Sequence, residues 1–371
     1  MSSPLESFVR PGFASATPYN ATHHDFAWKH RELDRLMSNE SPLAPSPAVV
    51  RAAMDAMAVS NLYPYSGDDL RAALARFSDV STDSVVLGNG STEILDVLTR
   101  ILVSPDDEAI IPTPTYAFFE TQTRLNQGNP VFVPLGESWA LDVPAILRAI
   151  TPRTKAIFLC SPNNPTGNSW SESELLAVLA AGIPTIVDQA YLECGYAESF
   201  ASLVESHRNL IVTRTMSKGF GLAALRVGYA IADPWLVDVI LRVRIPFSLS
   251  LMAIWAGLAA VNEPEELERH RRYISGERDR LYRQLLGMPG VQPFPSDGNF
   301  ILVDISASGR NATEVVDATR DQGILIRAMR AHRLEGSHVR VTIGTTEQND
   351  RFLAVFARAL EADPDREPTR A

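Results

Sequence analysis

The chain has almost no cysteine: two in 371 residues, Cys160 and Cys194. Neither sits in a C-x-x-C or Cys/His cluster, so no disulfide framework and no metal site is expected, and a reducing, cytoplasmic setting fits. Long apolar runs are missing as well. No window offers about 18 uninterrupted apolar residues, and "MSSPLESFVRPGFASATPYN" has no basic start followed by an apolar stretch, so neither a membrane span nor an export signal is expected. Positive charge is in deficit, with a formal net charge of −10 and lysines and arginines scattered among the acids. Nucleic-acid binding as the main task is therefore not expected. Repeats, low-complexity stretches and the Walker and dinucleotide glycine patterns are absent too.

What is present is a 45% hydrophobic chain of a length that suits roughly two domains. Residues 1–45 are rich in Pro, Ser, His and charge and read as an N-terminal arm ending in "SNESPLAPSP" before the helical "AVVRAAMDAMAV". Residues 46–262 read as a large unit. In it the β-rich runs "SVVLG", "EAIIPT", "PVFVPL", "KAIFLC", "TIVDQAY", "LIVTRT" and "VGYAIA" interleave with helix-like stretches, which predicts an α/β fold with a mostly parallel sheet covered on both faces. Residues 263–371 read as a smaller α+β unit. A long helix over "NEPEELERHRRYISGERDRLYRQLL" leads to strands "NFILVDI", "GILIRAM" and "HVRVTIGT", and a helix opened by the box-like Thr345-x-x-Gln348.

Four stretches could carry chemistry. In "VVLGNGSTEILDVL" a strand runs into Gly88 and Gly90, and Ser91, Thr92 and Glu93 open a helix. Glycines admit close approach and free N–H groups at a helix start attract an anion, typically phosphate. An ordinary capped turn would look the same, so the motif names no molecule. "CSPNNPTG" sets Asn163 and Asn164 at the carboxyl end of a strand, where open α/β sheets bind ligands, although Asn-Pro-Thr-Gly is also a good turn. In "PTIVDQAY", Asp188 ends a buried strand, with Tyr191 three residues on; a buried acid is costly unless a cation pairs with it. "RTMSKGFGLAALR" offers Thr215, Ser217, Lys218 and Arg226, hydroxyls and a guanidinium fork suited to an anion. A single Ser-Lys pair is usually a solvated loop. The ordered set of four is a stronger signal.

That order resembles the fold-type I pyridoxal-phosphate (PLP) aminotransferases. "YPYSGDDLRAAL", "GNGSTEIL", "PTPTYAFFE", "SPNNPTG", "TMSKGFGLAALRVG" and "VRVTIGT" are similar to the histidinol-phosphate aminotransferase branch. The resemblance spans about Pro18 to about Leu360. It implies the three-layer fold of those transferases, pyridoxal 5′-phosphate as cofactor, and a homodimer with a shared active site. It also implies an amino donor such as glutamate and a small oxo acceptor as partners.

By the same resemblance, Lys218 bonds the cofactor aldehyde and shuttles a proton, and Asp188 pairs with the pyridine nitrogen. Asn164 and Tyr191 bond the ring oxygen, and Tyr116 stacks on the ring. Gly90, Ser91, Thr92, Thr215, Ser217 and Arg226 hold the phosphate, and Tyr63 reaches the phosphate of the neighbouring subunit. Arg340 takes the substrate carboxylate, Arg327 a distal anion, and Asn39 and Tyr19 close over the substrate.

The chain departs from the pattern at Gln189, where the family commonly has an acid, after Arg327, where Arg330 and Arg333 appear, and in the His-rich segment between Tyr19 and Asn39. These fall where substrates are chosen. Two other functions share parts of the pattern. A decarboxylase or lyase resembling threonine-phosphate decarboxylase has nearly all these motifs. A transcription regulator with an aminotransferase-like domain would need a helix-turn-helix that the first 45 residues are too short to supply.

Overall fold

The computed structural model describes residues 21–361 except 331, together with 5, 8, 9 and 13. The arm carries helix α1 (Thr22–Lys29) and a short strand β1 (Asp34–Arg35). Helices α2 (Pro47–Ala58) and α3 (Asp68–Ser78) follow. The start of α2 is fixed by Ser46, whose hydroxyl accepts from the Val49 N–H, with Pro47 in the first turn.

Strands and helices then alternate: β2 (Val85–Asn89), α4 (Gly90–Leu102), β3 (Glu108–Thr113), α5 (Phe118–Leu125), β4 (Asn129–Pro134), α6 (Val143–Arg148), β5 (Thr154–Cys160), α7 (Glu172–Leu179), β6 (Thr185–Asp188), β7 (Leu210–Thr215) and β8 (Val227–Ile231). These strands form a seven-stranded sheet in the order β2-β8-β7-β6-β5-β3-β4. Only β8 runs against its neighbours.

The expected parallel sheet is thus present, with one reversed strand, and alternation along it explains the continuous apolar runs. Ile157 and Leu159 of β5, Val187 of β6 and Val212 of β7 enter the core on one face. Ala156 and Phe158 of β5, Ile186 of β6 and Ile211 of β7 enter the core on the other. Each strand is buried on both sides, so apolar residues occupy both phases of the period of two.

Helices α8 (Pro234–Val243) and α9 (Leu251–Val261) precede the long α10 (Pro264–Leu286). In α10 the residues Leu267, Ile274, Leu281 and Leu285 turn inward while the outer face is laced with ion pairs such as Arg272–Glu268 and Arg280–Glu277. A third core gathers Leu281 and Leu285 with Val303, Val341, Phe352 and Phe356. It lies beneath a four-stranded sheet, β12-β13-β10-β9, built from β9 (Gln292–Pro293), β10 (Phe300–Asp304), β12 (Arg327–Ala328) and β13 (His338–Thr342), with helices α11 (Ala312–Arg320) and α12 (Thr346–Glu361). The box at α12 is reciprocal: Thr345 N–H donates to Gln348 Oε1 at 2.9 Å and Gln348 N–H to Thr345 Oγ1 at 3.2 Å.

"GILIRAM" is not the single strand expected of it. It divides into β11 (Ile324–Leu325), which pairs in parallel with β1 of the arm, and β12, which pairs with β13. The arm captures one half of the segment by backbone bonds, and an apolar run does not reveal which partner each half takes.

Candidate active site

In the large sheet β2, β3, β5, β6 and β7 point the same way, so their carboxyl ends share one edge. Gly90 follows β2, Tyr116 follows β3, Asn164 follows β5, Asp188 ends β6, and Thr215, Ser217 and Lys218 end and follow β7. Arg226 enters β8 at that same edge, opposite them. Residues up to 136 positions apart are brought to one place by topology alone.

A candidate anion cradle lies where β2 meets α4. Asn89, the N-cap of α4, makes no side-chain cap; its amide donates to Ser248 O at 3.0 Å, which leaves the helix start to another partner. Gly90 adopts φ +72°, and a methyl there would run into the Arg226 guanidinium. A methyl at Gly228, on β8, would overlap the backbone of Gly90 and Ser91, so strand and helix touch at van der Waals limit. Arg226 Nη1 donates to Ser217 Oγ at 3.1 Å, and Thr215 Oγ1 to Ser217 Oγ at 2.8 Å. A guanidinium, two hydroxyls and the start of a 13-residue helix converge on one spot, and that donor set fits a phosphate.

Asp188 lies 3% exposed, 25 residues before its hydrogen-bond partner Thr213, whose Oγ1 donates to Oδ1 at 3.0 Å. Burial pushes the carboxyl up to about 6, opposed by the Thr213 bond, the Ala190 N–H and the charge of Lys218. Within the chain a hydroxyl makes the contact to this acid, and Lys218 acts on it only through its charge. Sequence reasoning missed Thr213; its register opposite Asp188 on β7 was the available signal.

Lys218 Nζ donates to the Ser38 carbonyl at 3.2 Å and stands 5.8 Å from the centre of the Tyr191 ring. Burial, then the charge of Arg340, brings its amine down to about 8. Tyr191 receives a hydrogen bond on Oη from Asn39 Nδ2 at 3.0 Å and meets Phe300 edge-on. Asn39 is 1% exposed and is also tied to Thr342, so it props Tyr191 from behind. Tyr116 stands at the opening of α5, half-buried and stacked on Phe118.

Arg340 and Arg327 face each other across β13 and β12. Arg340 Nη1 donates to Asn164 Oδ1 at 2.6 Å and Nη2 to Met37 O at 2.9 Å. That bond directs the Asn164 amide group as a donor. Arg327 Nη1 lies 2.8 Å from Nε2 of His23. Tyr63 is 86% exposed, and its ring lies 5.4 Å from that of Phe247, itself exposed. It is not brought into this chain's own site, and Tyr19 lies outside the described residues. The additional arginines turn elsewhere: Arg330 is exposed, and Arg333 reaches Leu135 O at 2.7 Å and covers Trp139.

The family model of the class I and II aminotransferases matches residues 33–356. The chain belongs to that family. A histidinol-phosphate aminotransferase of Methanosarcina mazei is 38% identical over 89% of this chain and 89% of its own length. Among solved structures, the histidinol-phosphate aminotransferase of Sinorhizobium meliloti in complex with pyridoxal-5′-phosphate has a TM-score of 0.88 at 25% identity, covering 96% of this chain and 98% of that one. The L-threonine-O-3-phosphate decarboxylase of Porphyromonas gingivalis shares the fold, with a TM-score of 0.78 at 22% identity over 89% of this chain and 100% of its own. Fold likeness thus spans both reactions, and the sequence relatives favour transfer. This aminotransferase is a PLP-dependent transaminase of the fold-type I architecture, moving an amino group between an amino acid and an oxo acceptor.

Proposed function

We propose that this aminotransferase exchanges an amino group between glutamate and the oxo counterpart of histidinol phosphate. The observation that carries the reading is the facing pair Arg327 and Arg340, of which Arg340 lies close enough to the half-buried Lys218 for its charge to be felt there. Histidinol phosphate has no carboxylate, so its phosphate is the anion offered to the two arginines. Glutamate brings a carboxylate at each end, and two cations suit that ligand as well.

Pyridoxal phosphate, when bound, supplies an aldehyde that takes over the amino group and a ring that draws electrons from the substrate Cα. Gly90, Ser91, Thr92, Thr215, Ser217 and Arg226 bind its phosphate. Asp188 holds the proton at the ring nitrogen, steadied by Thr213. Tyr191 and the Asn164 amide bind the ring oxygen, and Tyr116 covers one face. Lys218 Nζ moves the proton at the substrate Cα; an amine near pH 8 has a usable neutral fraction at physiological pH. Arg340 orients the nearer anion and Arg327 the farther, with Asn39 acting through Tyr191 and Tyr19 of the arm closing over the substrate.

The protein acts as a homodimer in the cytoplasm, with Tyr63 reaching the phosphate bound by the partner. Its exposure, and that of Met54, Met57, Leu62 and Phe247, supports this apolar face as the contact. Residues 1–45, 46–262 and 263–371 serve as arm, cofactor unit and smaller unit.

Lys218→Ala decides the central assignment. Turnover falls by about 10⁴-fold or more, and the near-visible absorbance of the lysine-bound cofactor disappears. A variant that keeps that absorbance refutes the role of Lys218.

A further inference from the structure

The contact between Arg327 and His23 joins residues 304 positions apart at 2.8 Å. A guanidinium has donors only, so His23 Nε2 must accept with its lone pair, which requires a neutral ring with its proton on Nδ1. The His24 ring lies beside it, 4.2 Å between centroids and tilted by 40°. Among the described residues, charged groups act on the His24 ring from several elements: Glu40, which Arg35 holds at 2.7 Å, Arg35 on β1, Arg327 on β12 and Lys218 after β7. Asp25 and Lys29, on α1 itself, are exposed. Among these described groups three cations stand against one carboxylate at His24, and burial holds His24 below its ordinary range with Glu40 pulling the other way.

We propose that His23 and Arg327 form a proton-linked receptor for the phosphate ester of the substrate. A phosphate dianion entering beside Arg327 reverses the local excess of positive charge. His23 then takes a proton from solvent at Nε2 and changes from an acceptor for Arg327 into a second donor to the phosphate. A carboxylate, with half the charge, favours that proton less, so the pair discriminates by charge between the two substrates of one cycle. The inference rests on the reading of Arg327 as an anion contact.

The test uses the holoenzyme and 3-(imidazol-4-yl)propyl phosphate, the amine-free relative of histidinol phosphate, which binds without reacting. Calorimetric titration at pH 7.5 in buffers of differing ionisation enthalpy counts the protons taken up. Gln can accept from Arg327 as a neutral imidazole does but cannot be protonated, so His23→Gln separates the proton from the contact. Wild type should take up close to one proton more than H23Q, and H23Q should bind the phosphate about tenfold more weakly, in line with a lost charge-assisted hydrogen bond. Binding of the corresponding alcohol, 3-(imidazol-4-yl)propanol, should be unchanged. Equal proton uptake by wild type and H23Q, with R327A still losing its preference for phosphate over alcohol, overturns the inference alone. R327A that keeps this preference overturns the reading of Arg327 and the inference with it. Equal melting temperatures of H23Q and wild type exclude unfolding as the cause.

Discussion

The cofactor edge and the substrate wall of this site are built in different ways. At the edge, each residue sits at the end of a buried strand or in the turn that follows it, and Thr215, Ser217, Lys218 and Arg226 lie within 12 residues of one another. At the wall, every contact bridges distant parts of the chain: Asn39 to Tyr191, Lys218 to Ser38, Arg340 to Asn164, Arg327 to His23. The edge is set by the sheet, whose two faces are buried in separate cores. The wall depends on an arm held by a two-residue parallel pairing, β1 with β11. Damage at the edge should therefore reach both cofactor and fold, whereas damage at the wall should reach substrate choice and spare the fold.

The hardest test of the edge is Gly228→Ala. The added methyl meets backbone atoms of Gly90 and Ser91, which cannot swing aside as a side chain would. The variant should lose about 3 kcal/mol of stability in denaturant unfolding and about 100-fold in cofactor affinity measured by absorbance on dialysis. If stability and cofactor affinity hold while only KM changes, edge and wall are not distinct.

Arg340→Ala probes the wall. It removes bonds to Asn164 and Met37 O and the cation proposed for the nearer anion, at a cost of about 2.5 kcal/mol, or about 100-fold in kcat/KM. Cofactor should remain bound, because the cradle is made of other residues. Loss of cofactor on dialysis would show that the Asn164 contact couples the two regions.

These two tests follow the line along which the sequence was legible. That Gly90, Asn164, Asp188, Lys218 and Arg226 gather at one edge could be read in advance, because strand ends are marked by a change from apolar runs to Gly, Asn and Ser, and a parallel sheet collects such ends. The Thr213 hydroxyl beneath Asp188 could not, since Thr within "LIVTRT" reads as an ordinary β-branched strand residue. Nor could His23 opposite Arg327, or the division of "GILIRAM" between two sheets, because neither spacing nor periodicity encodes contacts over 300 residues.

Asp188 gives the edge a pH signature. Its carboxyl rises from an ordinary 3.8 to about 6 on folding. Between those values the folded chain binds more protons than the unfolded one, so this group's contribution to stability falls as pH rises from about 4 to about 6 and stays low above. In the chain stripped of cofactor, Asp188→Asn should remove that slope, worth up to about 3 kcal/mol between pH 4 and pH 7. Unfolding curves across that range provide the check, and a slope unchanged in the variant would assign it to another group.

Gln189→Glu should have the smallest effect, although it sits beside Asp188. Gln189 Oε1 accepts from Arg214 Nη2 at 3.1 Å, while Nε2 donates to Glu198 O at 2.8 Å. A glutamate would gain an ion pair with the buried guanidinium and lose the donor to Glu198 O, a gain and a loss of similar size. Arg214 already has Ser199 Oγ at 2.6 Å and the charge of the buried Glu193 nearby. Its need for a carboxylate at position 189 is thereby lessened, which gives a physical reason for the amide. Stability should change by less than about 1 kcal/mol. The second carboxylate next to Asp188 should raise its pKa further, so the fall in stability with rising pH should continue to higher pH. A gain of several kcal/mol would instead mean that Arg214 lacks charge compensation in the chain as it stands.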